Sequence, residues 1–265
     1  HNRSPEPARA LADELGARVT ATPAEAAAVA DVAITMLADG DAVRAMWDGP
    51  DGLVAGSRSG GVLVDMSTVP PDTLAPFARP AAQRGAGLVD APVSGSVALA
   101  ESGQLTIMAG GSADHLERAR PALDLVARRV THVGPLGSGA ALKLAVNALI
   151  FALNNGVSEA LVLAERAGIE RALAYDVFAS SAAGAPFIGY KRDAFVEPDG
   201  TAVTFSLDLA AKDLRLIAEL ADRLGVPMPQ ARANQALIGE ASSRLGGDRD
   251  FSAVAAHLRQ LTTRS

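Results

Sequence analysis

The apolar pattern of this chain changes character at Gly137. Before it, runs of strand length at residues 32–37, 62–66, 87–90 and 105–108 recur between segments of helical periodicity. After it, no strand-length β-branched run occurs, and helical periodicity continues to the end. Short apolar runs separated by helices indicate a mostly parallel sheet covered on both faces. The expected architecture is therefore an α/β domain with a doubly wound sheet over residues 1–135, then an all-helical domain over 136–265. One long helix, 140–168, stands at the junction.

Local signals fill in this outline. Ser4 with Pro5 reads as a helix start, and Ala8, Leu11, Ala12 and Leu15 give that helix an apolar face. Thr22 and Glu25 have the spacing of a capping box. A helix is expected from about Pro70, and residues 129–133 read as a weaker strand. Further helices are expected at 171–180, 207–224, 229–245 and 251–261. A doubly wound dinucleotide domain opens with a strand and a Gly-x-Gly-x-x-Gly turn. Neither stands in this sequence, so the first strand, the glycine loop and the first helix are expected to be absent from it.

Composition narrows the function classes. The 265 residues are 49% hydrophobic and can bury a sizeable core. The net charge of −6 carries no nucleic-acid or anionic-membrane footprint. Absence of cysteine excludes disulfides and thiol catalysis and suits a cytoplasmic protein. No apolar run is expected to reach membrane-spanning length, and the N-terminus does not read as a signal peptide. The four histidines are scattered without ligand spacing, so no metal site is expected.

A few residues stand out chemically. Lys143 lies in an otherwise apolar helical stretch, with Asn147 one turn on, and Gly137-Ser138-Gly139 opens that helix. Such a lysine either snorkels to water or serves a polar cleft, where a helix N-terminus favours anions. Ser94 and Gly95 stand at a strand end, as an ordinary turn or as an oxygen-binding loop. No Gly-x-Ser-x-Gly elbow surrounds Ser94, and none of the four histidines stands beside an obvious partner, so hydrolase chemistry is not expected. Thr68 follows another strand, as a helix cap or a ligand contact. Lys212-Asp213 reads first as a solvated helix face, and Met36 and Leu37 as core.

Three segments together resemble the β-hydroxyacid dehydrogenase family, which includes 3-hydroxyisobutyrate dehydrogenase and glyoxylate or succinic semialdehyde reductases. They are Asp90-Ala91-Pro92-Val93-Ser94-Gly95-Ser96, Gly137-Ser138-Gly139-Ala140-Ala141-Leu142-Lys143 with Asn147, and Phe205 through Lys212-Asp213. The resemblance implies a reductase of small carbonyl acids in which Lys143 is the general acid/base. Ser94, Gly95 and Asn147 would hold a small carboxylate substrate, with Thr68 aligning it and Phe205 lining it. Asp213 would support the lysine, and Met36, Leu37, Thr68 and Lys212 would meet the cofactor. Asn2, Arg3 and Ser4 stand where an acidic residue would read an NAD ribose, and Arg3 suits a 2′-phosphate, so NADP is the expected cofactor. Ser96 replaces a glycine usual in the family. An imine reductase or a non-catalytic cofactor-binding protein is the alternative, and retention of Lys143 speaks against both. The apolar surplus after Gly137 predicts a homodimer or higher oligomer built through the helical domain.

Overall fold

A computed structural model describes residues 1–262, which form two compact units, one ending at Lys143 and one beginning at Leu144. The first contains α1 (Pro5–Leu15), α2 (Pro23–Val29), β1 (Val32–Thr35), α3 (Gly40–Trp47), α4 (Leu53–Gly56), β2 (Val62–Asp65) and α5 (Ala75–Gln83). It continues with β3 (Gly87–Asp90), β4 (Val93–Ser94), α6 (Val97–Glu101), β5 (Leu105–Gly111), α7 (Ala113–Leu123) and β6 (Ala127–Gly134). Then α8 (Ser138–Arg166) begins.

The strands β1, β2 and β3 are parallel neighbours. β5 runs antiparallel to β3 and β4 and parallel to β6. The sheet is thus mixed, and mostly parallel. Its two faces follow from period-two alternation. Leu63 and Leu88 join Trp47, Leu74 and Phe77 in one apolar cluster. Val62, Val64, Val89 and Ile107 join Leu116 and Leu123 in the other.

Several local expectations change. Ser4 is the N-cap residue of α1, but its hydroxyl makes no cap bond. The expected apolar face of α1 is not covered: no residue of this helix is buried, and Leu15 is 66% exposed. It lies outside both apolar clusters. The Thr22 cap holds, with Glu25 N donating to its Oγ1 at 3.1 Å, while Glu25 reaches the Ala21 N–H at 2.9 Å, one residue earlier than a capping box requires. α5 starts at Ala75 rather than near Pro70, because the chain first makes turns, with Thr73 N bonded to Pro70 O. The Val93-Ser94 dipeptide does not break away from the sheet but pairs with Ile107 and Thr106.

The second unit holds the rest of α8, α9 (Arg171–Ser180), α10 (Pro186–Tyr190), α11 (Arg192–Val196), α12 (Leu207–Leu224), α13 (Pro229–Leu245), a 3-10 turn (Phe251–Ala253) and α14 (Val254–Thr262). On α12, Leu207, Ala210, Leu214, Ile217 and Ala221 recur at helical spacing and are buried. They pack with Phe151, Leu161, Tyr175, Ile238 and Phe251 in one core. Ser206 caps the start of α12 through Leu209 N, and Gly225 ends it in the left-handed region at φ 67°.

The expectation of no membrane-length apolar segment needs correction. α8, at 29 residues, is long and apolar enough by length and composition to cross a bilayer. Here it is a core helix. Its buried Asn154 and Asn155 donate to Phe251 O and to Asn234 Oδ1, in the elements packed around it.

Candidate active site

In the sheet unit, the C-terminal ends of three parallel strands carry three buried polar residues in register: Thr35 opposite Asp65, and Asp65 opposite Asp90. Strand ends of this kind are where open α/β sheets bind ligands. Asp65 Oδ1 accepts from Thr35 Oγ1 and from Ser67 Oγ, both at 2.7 Å. Trp47 Nε1 donates to Thr35 Oγ1 at 3.1 Å, and Leu37 N to Ser67 Oγ at 2.8 Å. This relay fixes the loop after β1 and the Ser67-Thr68 segment after β2. Burial pushes the Asp65 carboxyl above its ordinary value, against the Ser67 and Thr35 hydrogen bonds that lower it.

Asp90 does something different. Its Oδ1 accepts from Gly137 N at 2.7 Å and its Oδ2 from Ala140 N at 2.8 Å. The carboxylate therefore caps α8 across 47 residues of sequence. Burial raises its carboxyl too, opposed by the Gly137, Ala140 and Gly139 amides. Close approach is required here. A Cβ on Gly139 would stand 2.3 Å from Met108 O, and one on Gly110 would stand 2.3 Å from Asp90 Oδ1. The cap also corrects the reading of Gly137-Ser138-Gly139 as an open anion site. Its N–H groups already meet Asp90, so the helix terminus does not serve as the anchor for a substrate anion. The first turns of α8, to Lys143, accordingly belong with the sheet unit, beyond the boundary placed at 135.

Lys143 is half-buried on α8. Ser94 is half-buried on β4, and Gly95 follows it at φ 147°, where a Cβ would stand 2.6 Å from Leu105 Cδ2. Ser96 is the N-cap residue of α6 and makes no side-chain cap bond. Thr68 is half-buried between β2 and Pro70, ahead of no helix start.

The residues expected to meet a cofactor divide. Asn2, Arg3, Ser4 and Leu37 line one open cavity of about 470 Å³, together with Asp39 and Met46. A guanidinium, an amide and a hydroxyl around an open space form a donor set fit for a sugar phosphate. Met36 is 64% exposed, so it is no core residue, whereas Leu37 is half-buried.

In the helical unit, Asn147 Nδ2 donates to Asp213 Oδ2 at 2.7 Å, and Lys212 Nζ stands 3.1 Å from Asp213 Oδ1. Asp213 is only 1% exposed. Lys212-Asp213 is thus not a solvated face: the carboxylate holds Asn147 and Lys212 in fixed geometry. Phe205 is half-buried, with its ring 5.4 Å from Phe251 and 6.2 Å from Phe151.

Sequence reasoning missed the capping role of Asp90 and the Asp65 relay, although both residues lie in quoted segments. It also missed a buried pair, Lys191 and Asp250, 2.7 Å apart. The run Tyr190-Lys191-Arg192-Asp193 carries no spacing that separates a buried lysine from solvated neighbours. Among the described residues no group of acidic or histidine side chains could hold a metal ion.

Comparison with known proteins fits this geometry. The model of the NAD binding domain of 6-phosphogluconate dehydrogenase matches residues 1–134. The model described as NAD-binding of NADP-dependent 3-hydroxyisobutyrate dehydrogenase matches residues 137–258. The chain is 34% identical to 2-(hydroxymethyl)glutarate dehydrogenase of Eubacterium barkeri, over 93% of this chain and 82% of that one. It is equally similar, at 34%, to 3-sulfolactaldehyde reductase of Escherichia coli, over 96% and 85% of the two chains. Among solved structures, a 3-hydroxyisobutyrate dehydrogenase from Salmonella typhimurium matches with a TM-score of 0.87 and 28% identity, over 97% and 89% of the two chains.

Proposed function

The chain belongs to the β-hydroxyacid dehydrogenase family of NAD(P)-dependent dehydrogenases and reductases acting on CH–OH groups, and on that premise we propose that it interconverts a small aldehyde or keto acid and its hydroxyacid, with NADP as cofactor. The names of the relatives support the substrate class: each acts on a small acid bearing a hydroxyl or an aldehyde. Arg3, beside Asn2 and Ser4 in their cavity, supports NADP through a forked cation suited to a 2′-phosphate.

In this reading a bound nicotinamide supplies the hydride. Lys143 gives a proton to the carbonyl oxygen during reduction and takes it back in the reverse direction. Before transfer, its ammonium stabilises the charge developing on that oxygen. The Ser94 hydroxyl and the Gly95 N–H hold the substrate carboxylate. Asn147 presents its remaining amide groups to the substrate, having committed one N–H to Asp213. Thr68 aligns the reacting carbon, Phe205 lines the substrate, and Lys212 meets the cofactor. The observation that carries this reading is the Asp90 cap, which fixes the start of the helix bearing Lys143 and Asn147.

The test is an NADPH- and NADH-oxidation screen of the full-length protein against short aldehyde and keto acids, repeated with Lys143→Ala. The variant is expected to lose at least about a hundredfold in kcat, the scale of a lost general acid, with cofactor affinity little changed. Near-normal turnover would return Lys143 to the class of solvated lysines. Faster turnover with NADH would overturn the NADP assignment.

The protein is also proposed to assemble as a homodimer or higher oligomer through its helical unit. Leu149 and Leu163 on α8 are 68% and 73% exposed, and Leu173 and Val177 on α9 are 59% and 54% exposed. Apolar side chains presented in this way mark an association surface. Light scattering at low micromolar concentration is expected to give at least a dimer mass, and a monomer mass with full activity would defeat the proposal.

A further inference from the structure

Lys191, between α10 and α11, is 3% exposed. Its ammonium donates to both Asp250 oxygens, at 2.8 and 2.7 Å, and to Thr204 Oγ1 at 2.6 Å. It also stands 4.5 Å from the centroid of the Phe251 ring. Asp250 reaches further. Its Oδ2 accepts from Thr204 N at 3.1 Å and Phe205 N at 3.3 Å, and its Oδ1 from Ser252 N at 3.0 Å. Phe251 N then donates to Phe205 O at 2.9 Å. The backbone of Phe205 is held at its amide by Asp250 and at its carbonyl by Phe251, and the Phe251 ring packs against its own.

An ion pair with its lysine buried and its carboxylate 12% exposed is a poor source of stability. Desolvation of the two charges offsets most of their attraction, and apolar replacements of similar volume often serve folding as well. Burial draws the Lys191 ammonium below its ordinary value, and Asp250 only partly restores it. Burial would raise the Asp250 carboxyl, but Lys191 and Ser252 outweigh it and hold it low. What the pair supplies is geometry: five donors converge on one carboxylate, the Thr204 hydroxyl among them, and two of the five are the amides of Thr204 and Phe205.

We propose that the Lys191–Asp250 pair is a positioning device that fixes Phe205, and so sets how the carbon chain of the substrate fits against that ring. The inference rests on the reading of Phe205 as a substrate-lining residue. Neither Lys191 nor Asp250 touches the reacting atoms in it. Both act through Phe205, so their loss alters substrate fit and leaves the chemical step alone.

The experiment compares Lys191→Met, Asp250→Asn and the double variant with Phe205→Ala, in the full-length protein with NADPH, and with succinic semialdehyde and glyoxylate as probes. The double variant leaves no buried charge and carries the test if a single variant fails to fold. Each folded variant is expected to raise KM for succinic semialdehyde about tenfold, the scale of one lost buried hydrogen bond. The KM for glyoxylate, which has no chain to lay against the ring, should move less, and kcat and the KM for NADPH should stay within about twofold. Amide exchange at Thr204 and Phe205 should quicken relative to the rest of the helical unit. If Phe205→Ala raises KM for succinic semialdehyde while the folded pair variants keep the wild-type value, the positioning inference is overturned and the pair is structural. If Phe205→Ala itself keeps the wild-type value, the substrate-lining reading of Phe205 is what has failed.

Discussion

Asp90 in the sheet unit and Asp213 in the helical unit are both buried carboxylates, yet they face different partners. Asp90 receives backbone amides, Gly137 N and Ala140 N. Asp213 receives side chains, the Asn147 amide and the Lys212 ammonium. A backbone amide cannot turn away without unwinding its helix, whereas a side chain can adopt another rotamer. The first carboxylate therefore fixes where a helix begins, and the second fixes how side chains on helices already formed are oriented. Damage to Asp90 should be read in stability, and damage to Asp213 in turnover.

The same isosteric substitution separates the two. In Asp90→Asn the new NH2 group points at one of two backbone N–H groups, donor against donor, with no room for either to move. A buried donor left unsatisfied costs on the order of 2–4 kcal/mol once the lost charge-assisted bond is included. Urea unfolding of Asp90→Asn is expected to show that loss, with activity falling as α8 loses its fixed start. An unchanged midpoint would mean that the Asp90 cap does not fix α8.

For Asp213→Asn a smaller stability loss is expected, about 1 kcal/mol, because Asn147 can still donate to the new carbonyl and Lys212, 16% exposed, can turn toward water. The activity should fall by about tenfold in kcat/KM, since Asn147 and Lys212 lose their common anchor. If Asp213→Asn destabilises as much as Asp90→Asn and spares activity, the contrast between backbone-facing and side-chain-facing carboxylates is broken.

This contrast also explains how much could be read from the sequence. The strands at 62–66 and 87–90 and the helix at 207–224 were legible because each rests on a local period, two for the strands and 3.6 for the helix. Lys143 with Asn147 was legible as a helical i, i+4 pair. The contacts of Asp90 with Gly137 and of Asp213 with Asn147 were not, because they span 47 and 66 residues and no local pattern records a contact of that range. Lys212-Asp213 looks like a solvated pair in sequence, since burial is decided by what packs over a helix and not by the helix itself. The Lys191–Asp250 pair, with a separation of 59, was hidden for the same reason. Ser94 shows the reverse case: with Gly95 it reads locally as a turn at a strand end, and pairing with β5 overrode that local signal.

The smallest expected effect is a slope rather than a step, and it sharpens the comparison on the sheet side. Burial raises both Asp65 and Asp90 above the ordinary value of 3.8. The sign follows from linkage. Between 3.8 and the raised folded value, the native state keeps a proton that the unfolded chain has released, so stability falls as pH rises through that window. Acidifying from neutral pH into the window should therefore add stability from these two groups. Glu165 works in the opposite sense: hydrogen bonds from Arg259 and Arg171 lower it against the pull of burial, so its contribution is lost as pH falls below the ordinary carboxylate range. Asp65→Asn isolates the first effect. Its carbonyl can accept from Thr35 and Ser67 as the carboxylate does, so the relay to Trp47 and Leu37 should survive and the fold with it. Thermal unfolding from pH 7 to pH 4 should then give a flatter gain on acidification for Asp65→Asn than for the wild type, with the variant the more stable of the two at pH 7. Parallel curves would mean that Asp65 titrates alike in both states, and that the hydroxyls of Thr35 and Ser67 compensate its burial in full.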